Sequence, residues 1–568
     1  MSDPEQIWRS DFRHPGVWDQ PFPPQSMVDL FEASAAAHPE APLIDFMGRR
    51  YSYAETLDGA NRVAHGLKAL GYGPDDRIGL FLPNVPHYVA AYYGVLKLGA
   101  TVVNFSPLYS VDELSAQVAD SGTRLLFTLS ASALLPTALA VLERSDLERL
   151  VVGSVAGALP SAKSLFYRLF RGAEVAKRPD DPRILAFSSL IHNDGSAAHP
   201  KIDPENDLAL IQYTGGTTGT PKGAMLTHQN LSANARQVAL LDPERGQAKD
   251  SVLGVLPMFH VFANTCVLNR TVLAGGEIVM LPRFNAKQAI AALKRTGARA
   301  LPGVPTMFQA LLDSPDMTAD SFASVRYCIS GGAPLPEQLK SVFEKLTGSR
   351  LIEGYGLSES SGVVSTNPYD GLNKPGTIGQ PLAGTRVKLV DKENPKRAVP
   401  KGEPGELVVA GPQIMRGYWN RPDADKQVFV TDRKGVRWLR TGDVATIDED
   451  GYIRIVDRLK DMIAVGGFKV FPSQIEDVLY RNPAVKEALV IGLPDAYHGE
   501  LPHAYVTLNE GARTTGPELC QWLNGKLGKH ERVAEVVVRD NLPKTMIGKL
   551  SRKDLLAEVR VSPPREKP

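Results

Sequence analysis

The chain has only three cysteines in 568 residues, Cys266, Cys328 and Cys520, odd in number and far apart. That pattern excludes a disulfide framework and a cysteine-built zinc site, and it suits a reducing compartment. Long apolar runs are also lacking. The nearest, 89–105, is interrupted by Lys97, so no helix is expected to span a bilayer. Residues 1–13 are polar and hold no apolar signal-peptide core. A dominant charge is missing too: the formal charge is +1, no basic stripe occurs, and nucleic acid is excluded as a partner on that ground. A cytoplasmic protein is expected. Its length calls for several cores, since one core stops growing near ~250–300 residues.

The first 200 residues alternate helical and strand patterns. Residues 53–70 have helical spacing closed by Gly71, 77–82 read as a strand, 89–98 as a helix and 100–104 as a strand. A second α/β portion is expected over 208–367. From Gly376 short strands separated by glycine and proline, such as 386–390 and 405–409, indicate a β-rich subdomain, with Glu449-Asp450-Gly451 as a hairpin turn. A smaller α/β unit follows, with a helix at 474–480 and strands at 488–492 and 504–508. The fold class is therefore α/β: a large N-terminal domain, 1–457, of two α/β subdomains and a β-rich one, then a small domain, 458–568. The tail 562–568 is expected to be disordered. Segment 161–186 mixes basic residues with Phe166, Tyr167, Leu169 and Phe170. It reads as a helix packed on its own domain or as a peripheral contact on the inner face of a membrane.

Four segments carry chemistry. The first is Tyr213-Thr-Gly-Gly-Thr-Thr-Gly-Thr-Pro-Lys-Gly223, entered from an apolar strand at 208–213. Glycines and threonines of such a loop can bring backbone N–H groups and hydroxyls against phosphate oxygens. It is not the loop of the P-loop NTPases, because Pro221 precedes Lys222 and Gly223 follows it. The second pairs Ser330-Gly-Gly-Ala-Pro334 with Glu353-Gly-Tyr-Gly-Leu-Ser-Glu359. The third joins Trp438-Leu-Arg-Thr-Gly-Asp443 to Ile453-Arg-Ile-Val-Asp-Arg-Leu-Lys-Asp461. The fourth is Leu542-Pro-Lys-Thr-Met-Ile-Gly-Lys-Leu-Ser-Arg552. Taken singly, Glu359 and Lys549 read as solvated charges, Asp443 as a turn residue and Arg458 as half of a surface ion pair. Their joint spacing argues otherwise.

In this order, and over nearly the whole chain, the segments resemble the adenylate-forming superfamily of acyl-CoA synthetases, adenylation domains and firefly luciferase. The resemblance implies ATP contacts at Thr214, Gly215, Gly216, Thr217, Thr218, Gly219 and Lys222 in the first loop. It implies an adenine site at Gly331, Gly332, Ala333, Glu353, Gly354, Tyr355, Gly356 and Ser358. Asp443 would accept the ribose hydroxyls beside Ile455 and Arg458, while Thr214 and Glu359 would hold Mg²⁺. Lys549 would act on the α-phosphate as the catalytic lysine. By the same resemblance an acid's carboxylate attacks ATP to give acyl-adenylate, and coenzyme A then displaces AMP. Between the two steps the C-terminal domain turns about a hinge at Lys460 and brings Gly466 and Gly467 to the pantetheine channel.

The segment Leu256-Pro-Met-Phe-His-Val-Phe262 resembles the acyl-site segment of the family, with His260 near the carboxylate; alone, it reads as a hydrogen-bonded core histidine. No aspartate lies between Gly254 and Arg270 to pair an amino acid's ammonium, which disfavours amino acids. Phe259, Val261, Phe262, Val304, Met307 and Phe308 suit an apolar acyl tunnel and suit ordinary core packing equally. Bacterial long-chain fatty-acid–CoA ligases are resembled through Val102-Val-Asn-Phe-Ser-Pro-Leu-Tyr-Ser110, Asp120-Ser-Gly122 and Gly303-Val-Pro-Thr-Met-Phe-Gln-Ala-Leu-Leu312. Two departures are Asn264, where some of those enzymes carry a gating tryptophan, and Lys469, where asparagine is usual. The expected reaction is activation of a fatty acid. A medium-chain or aryl-acid ligase and a non-catalytic nucleotide- or acyl-AMP-binding protein of the same fold stand as alternatives, and a homodimer is left open as the assembly.

Overall fold

Ser52 opens the helix Tyr53–Ala69 by accepting from the Glu55 amide at 3.1 Å while the Glu55 carboxylate accepts from the Ser52 amide at 2.8 Å. Past its end Gly71, at φ +88°, turns the chain toward the strand Arg77–Leu80. The same helix–strand grammar runs through the first half of the chain, in a computed structural model that describes residues 6–170, 174–196, 199–214, 221–246, 250–466, 468–495, 497–545 and 548–561.

Two large sheets result. The eight-stranded sheet runs in the order Gly417–Tyr418, Lys222–Thr227, Leu208–Thr214, Thr101–Asn104, Arg77–Leu80, Leu125–Leu129, Arg149–Gly153, Ile184–Ala186, parallel from Leu208–Thr214 onward. The nine-stranded sheet has a parallel centre of Arg350–Tyr355, Tyr327–Ser330, Ala300–Gly303, Ser251–Gly254, Glu277–Met280 and Pro42–Phe46, with antiparallel strands at both edges. The strands of both centres are almost wholly buried, as parallel strands covered on two faces must be.

This corrects the expectation that a second α/β unit begins at residue 208. Leu208–Thr214 and Lys222–Thr227 belong to the first sheet, Val102 pairing with Leu210, and Pro42–Phe46 crosses to the second, Ile44 pairing with Ile278. Apolar patterning identifies a strand but not its partner, and a parallel neighbour can arrive from anywhere in the chain.

The β-rich part is an antiparallel sheet of Arg386–Val390, Gly405–Ala410, Arg437–Ile447, Phe429–Thr431 and Ile453–Arg458. Its hairpin turns at Gly451, φ +75°, where Lys374 Nζ pairs with Asp448 at 2.6 Å and Asp450 at 2.5 Å. The C-terminal unit packs the helix Pro472–Tyr480 on a hairpin of Val485–Asp495 and Gly499–Leu508, both longer than expected, because Pro494 and Pro502 are tolerated within the pair. Among the described residues no helix is long and apolar enough to cross a membrane. The helix Ser161–Phe170 exposes 60% of Leu165 and 57% of Phe166, while Lys163 Nζ donates to the Met47 carbonyl at 2.7 Å.

Candidate active site

A cavity of about 540 Å³ lies where the large sheets, the β-rich sheet and the C-terminal unit meet. Thr214, Lys222, His260, Phe262, Gly331, Gly332, Gly354, Tyr355, Gly356, Ser358, Glu359, Asp443, Arg458, Lys460 and Lys549 all line it. Residues up to 335 positions apart in sequence are thus brought to one space, carried there by several separate strand ends and loops.

One wall belongs to Asp443, on the strand Arg437–Ile447. Its side chain is only 2% exposed, receives the Tyr355 hydroxyl, and pairs through Oδ1 with Arg458 Nε at 3.1 Å. The cross-strand register Asp443↔Arg458 delivers that pair. Burial and the Asp443 charge raise the Tyr355 phenol far above its ordinary pKa, and Asp443 also raises Arg458. A buried carboxylate braced on two sides is a preorganised acceptor for vicinal hydroxyls.

His260 caps the short helix Val261–Ala263. The segment before it is pinned by Asn84, whose carbonyl accepts from the Met258 amide at 2.8 Å and whose amide donates to the Leu256 carbonyl at 2.8 Å, and by the Tyr88 hydroxyl donating to the Met258 carbonyl at 2.8 Å. Burial and the Lys549 ammonium push the imidazole down to about 3, so it is neutral at working pH. Asn264–Asn269 continues as one π-helical turn, a form frequent beside functional sites.

Lys549 reaches across Gly332. A Cβ on Gly332, which sits at φ +84°, would lie 2.4 Å from Lys549 Cε, so a side chain there would push the end of the lysine aside. The lysine's loop is held by Thr306, whose hydroxyl donates to the Gly548 carbonyl at 2.8 Å. Burial and the Arg458 charge lower the ammonium to about 8.

Opposite, Glu359 Oε1 accepts the Tyr418 hydroxyl at 2.7 Å, and Lys222 Nζ stands 5.3 Å from the centre of the Tyr418 ring. Among the described residues no group of three or more histidines, cysteines or carboxylates could hold a metal. One carboxylate and one hydroxyl, Glu359 and Thr214, fit Mg²⁺ of the kind that takes most of its oxygens from phosphate and water.

Not every expected residue meets the cavity. Glu353 turns its carboxylate to the Leu335 amide at 3.1 Å, and burial raises it to about 8. Ile455 packs at the edge of the β-rich core, and Ala333 lies beside the lining glycines. Val304 is fully buried beneath the Lys549 loop. Gly466 is exposed, outside the lining, with its amide donating to the His498 carbonyl at 2.7 Å. Gly215, Gly216, Thr217, Thr218, Gly219 and Gly467 lie outside the described residues. Sequence reasoning missed Tyr418, Asn84 and Tyr88, which sit in no segment with its own chemical pattern, and Thr306, which lies in the quoted segment 303–312 but was given no role.

Residues 31–419 match the family model of the AMP-binding enzyme, and 474–549 match that of the AMP-binding enzyme C-terminal domain. A long-chain-fatty-acid–CoA ligase of Bacillus subtilis (strain 168) is 37% identical over 557 residues, 98% of each chain. Feruloyl-CoA synthase of Amycolatopsis sp is 34% identical over 528 residues, 93% of this chain and 96% of that one. ATP-bound MatB from Rhodopseudomonas palustris superposes with a TM-score of 0.82 at 28% identity, covering 94% of this chain and 99% of its own. Fold and site thus define an ATP-dependent, adenylate-forming acid–thiol ligase. The chain belongs to the AMP-binding enzyme family, within the adenylate-forming superfamily that includes the bacterial long-chain fatty-acid–CoA ligases and related acyl-CoA ligases.

Proposed function

We propose that this ligase activates a long-chain fatty acid to its coenzyme A thioester. The observation that carries the reading is an apolar cluster in the cavity wall. There the wall is Val238, Leu241, Phe262, Cys266, Ile329 and Val363, with no carboxylate to receive an ammonium. An acid with an apolar body gains about 0.8 kcal/mol per methylene buried in such a lobe. Likeness to a ligase named for long-chain fatty acids supports the same substrate.

In the adenylation step the substrate carboxylate attacks the α-phosphorus, and the bond to the pyrophosphate oxygen breaks. Asp443 accepts the ribose hydroxyls, with Arg458 and Tyr355 fixing its orientation. Lys549 follows the charge that develops on the α-phosphate oxygens. Glu359 and Thr214 would hold Mg²⁺, which when bound neutralises phosphate charge. His260, kept neutral, does not compete with Lys549 for the anion. In the second step the thiol of coenzyme A gives up its proton to water and attacks the acyl carbonyl, and AMP leaves with the electron pair of the broken bond. We assign the hinge between the steps to Lys460, between a domain of residues 1–457 and one of 458–568, and the thiol channel to Gly466 and Gly467.

A panel of saturated, medium-chain and aryl acids, followed by AMP release, tests the reading. The highest kcat/KM is expected for a long saturated acid. A ferulate-like acid outperforming every fatty acid would replace it with the aryl-acid reading, which the likeness to feruloyl-CoA synthase favours. Absence of pyrophosphate exchange with any acid would leave only nucleotide binding.

A further inference from the structure

A second, small cavity of about 20 Å³ abuts the apolar lobe, and Val238, Cys266, Ile329 and Tyr369 line both. These four residues form the partition between the two spaces. They come from the helix His228–Ala239, the π-helical turn Asn264–Asn269, the strand Tyr327–Ser330 and the loop after Thr366. The far side is charged. Arg270, 8% exposed, pairs with Asp250 at 2.5 Å and with Asp242 at 3.3 Å. Tyr369 is braced from behind by Tyr327, ring centroids 4.5 Å apart and tilted 35°.

We propose that Tyr369 is the floor of the acyl site and sets the upper limit of chain length; this rests on the fatty-acid reading above. On the near side each methylene meets apolar wall. Past the ring it would meet a buried ion cluster whose members must keep their partners, so further carbons gain nothing and disturb a costly arrangement. The aromatic brace behind Tyr369 resists displacement toward the charges. Length selection would therefore be a property of one side chain backed by an ion pair, remote from the reacting carboxylate.

The test is the kcat/KM of pyrophosphate exchange across saturated acids of increasing length, on wild type, Tyr369→Ala and Val238→Phe. In wild type the value should rise about fourfold per methylene up to a break, then level or fall. Tyr369→Ala should move the break at least two carbons longer, and Val238→Phe should move it shorter, with the KM for ATP unchanged in both. A break at the wild-type length in Tyr369→Ala would overturn the floor, as would equal loss on every acid. If Tyr369→Ala does not fold, Tyr369→Leu takes its place, and the break is again expected at a longer acid. Should wild type take only aryl acids, the fatty-acid reading fails. The same comparison on para-alkylbenzoates of increasing length then decides the floor.

Discussion

Tyr418 donates its hydroxyl to Glu359 Oε1 at 2.7 Å, across 59 positions of sequence. The contact orients the carboxylate assigned to Mg²⁺ while the Tyr418 ring faces Lys222. Tyr418→Phe keeps the ring and removes the hydrogen bond. A hydrogen bond to a charged group contributes about 1.5–3 kcal/mol, so the Mg²⁺ concentration for half-maximal adenylation should rise about tenfold. Calorimetric binding of Mg²⁺ with a non-hydrolysable ATP analogue should weaken in parallel. An unchanged Mg²⁺ dependence in a folded variant would remove Tyr418 from this role.

The role proposed for Lys549 needs an ammonium, and burial together with Arg458 brings it down to about 8. Lowering the pKa of a cation means the charged form is lost as pH rises through that value. Pyrophosphate exchange at saturating ATP should therefore decline as pH increases past about 8, whereas thioester formation from supplied acyl-adenylate should lack that falling limb. Lys549→Ala should cost on the order of 10²–10³ in the adenylation rate and spare the second step. Equal loss of both half-reactions would contradict the assignment.

Gly332→Ala tests the path of the same lysine. The new methyl would stand 2.4 Å from Lys549 Cε, at a backbone φ of +84° that alanine resists. Adenylation should fall at least about tenfold with the melting temperature lowered by only a few degrees, since the cost falls on the lysine's placement and a single loop. Thioester formation from supplied adenylate should change little. Full adenylation by the folded variant would show that Lys549 acts from another direction.

Asp443→Ala should weaken ATP binding by about 10²-fold or more, if two ribose hydroxyls lose a charged acceptor at about 1.5–3 kcal/mol each. The variant also strips Tyr355 and Arg458 of their shared partner. Arg458→Ala keeps Asp443 and should cost less. Calorimetry on both separates the acceptor from its brace, and an ATP affinity unchanged in Asp443→Ala would mark the residue as structural.

Lys460 follows the last strand of the β-rich sheet, in a turn whose hydrogen bonds run from the Leu459 amide to Gly442 at 2.9 Å and from the Asp461 amide to Arg458 at 3.1 Å. Proline fixes φ near −65° and restricts the residue before it. Lys460→Pro should preserve pyrophosphate exchange and cut thioester formation by orders of magnitude. Parallel loss of both half-reactions, measured separately on folded protein, would count against a hinge.

Local chemistry was legible in the sequence. Strand and helix patterns gave the helix Tyr53–Ala69, the strand Leu208–Thr214 and the strand Arg386–Val390 nearly to the residue, because periodicity and capping act over a few neighbours. The glycine- and charge-bearing segments stood out for the same reason, since each stretch is a short run with its own residue pattern, and the cavity gathers residues from all four. What the tertiary structure alone decided was partnership. No pattern announces that Leu208–Thr214 joins Thr101–Asn104, that Tyr418 holds Glu359, that Gly332 clears the path of Lys549, or that Tyr369 divides an apolar lobe from an ion cluster. Such contacts join residues tens to hundreds of positions apart, and which of many apolar or polar groups meet is settled only when the sheets and domains close on one another.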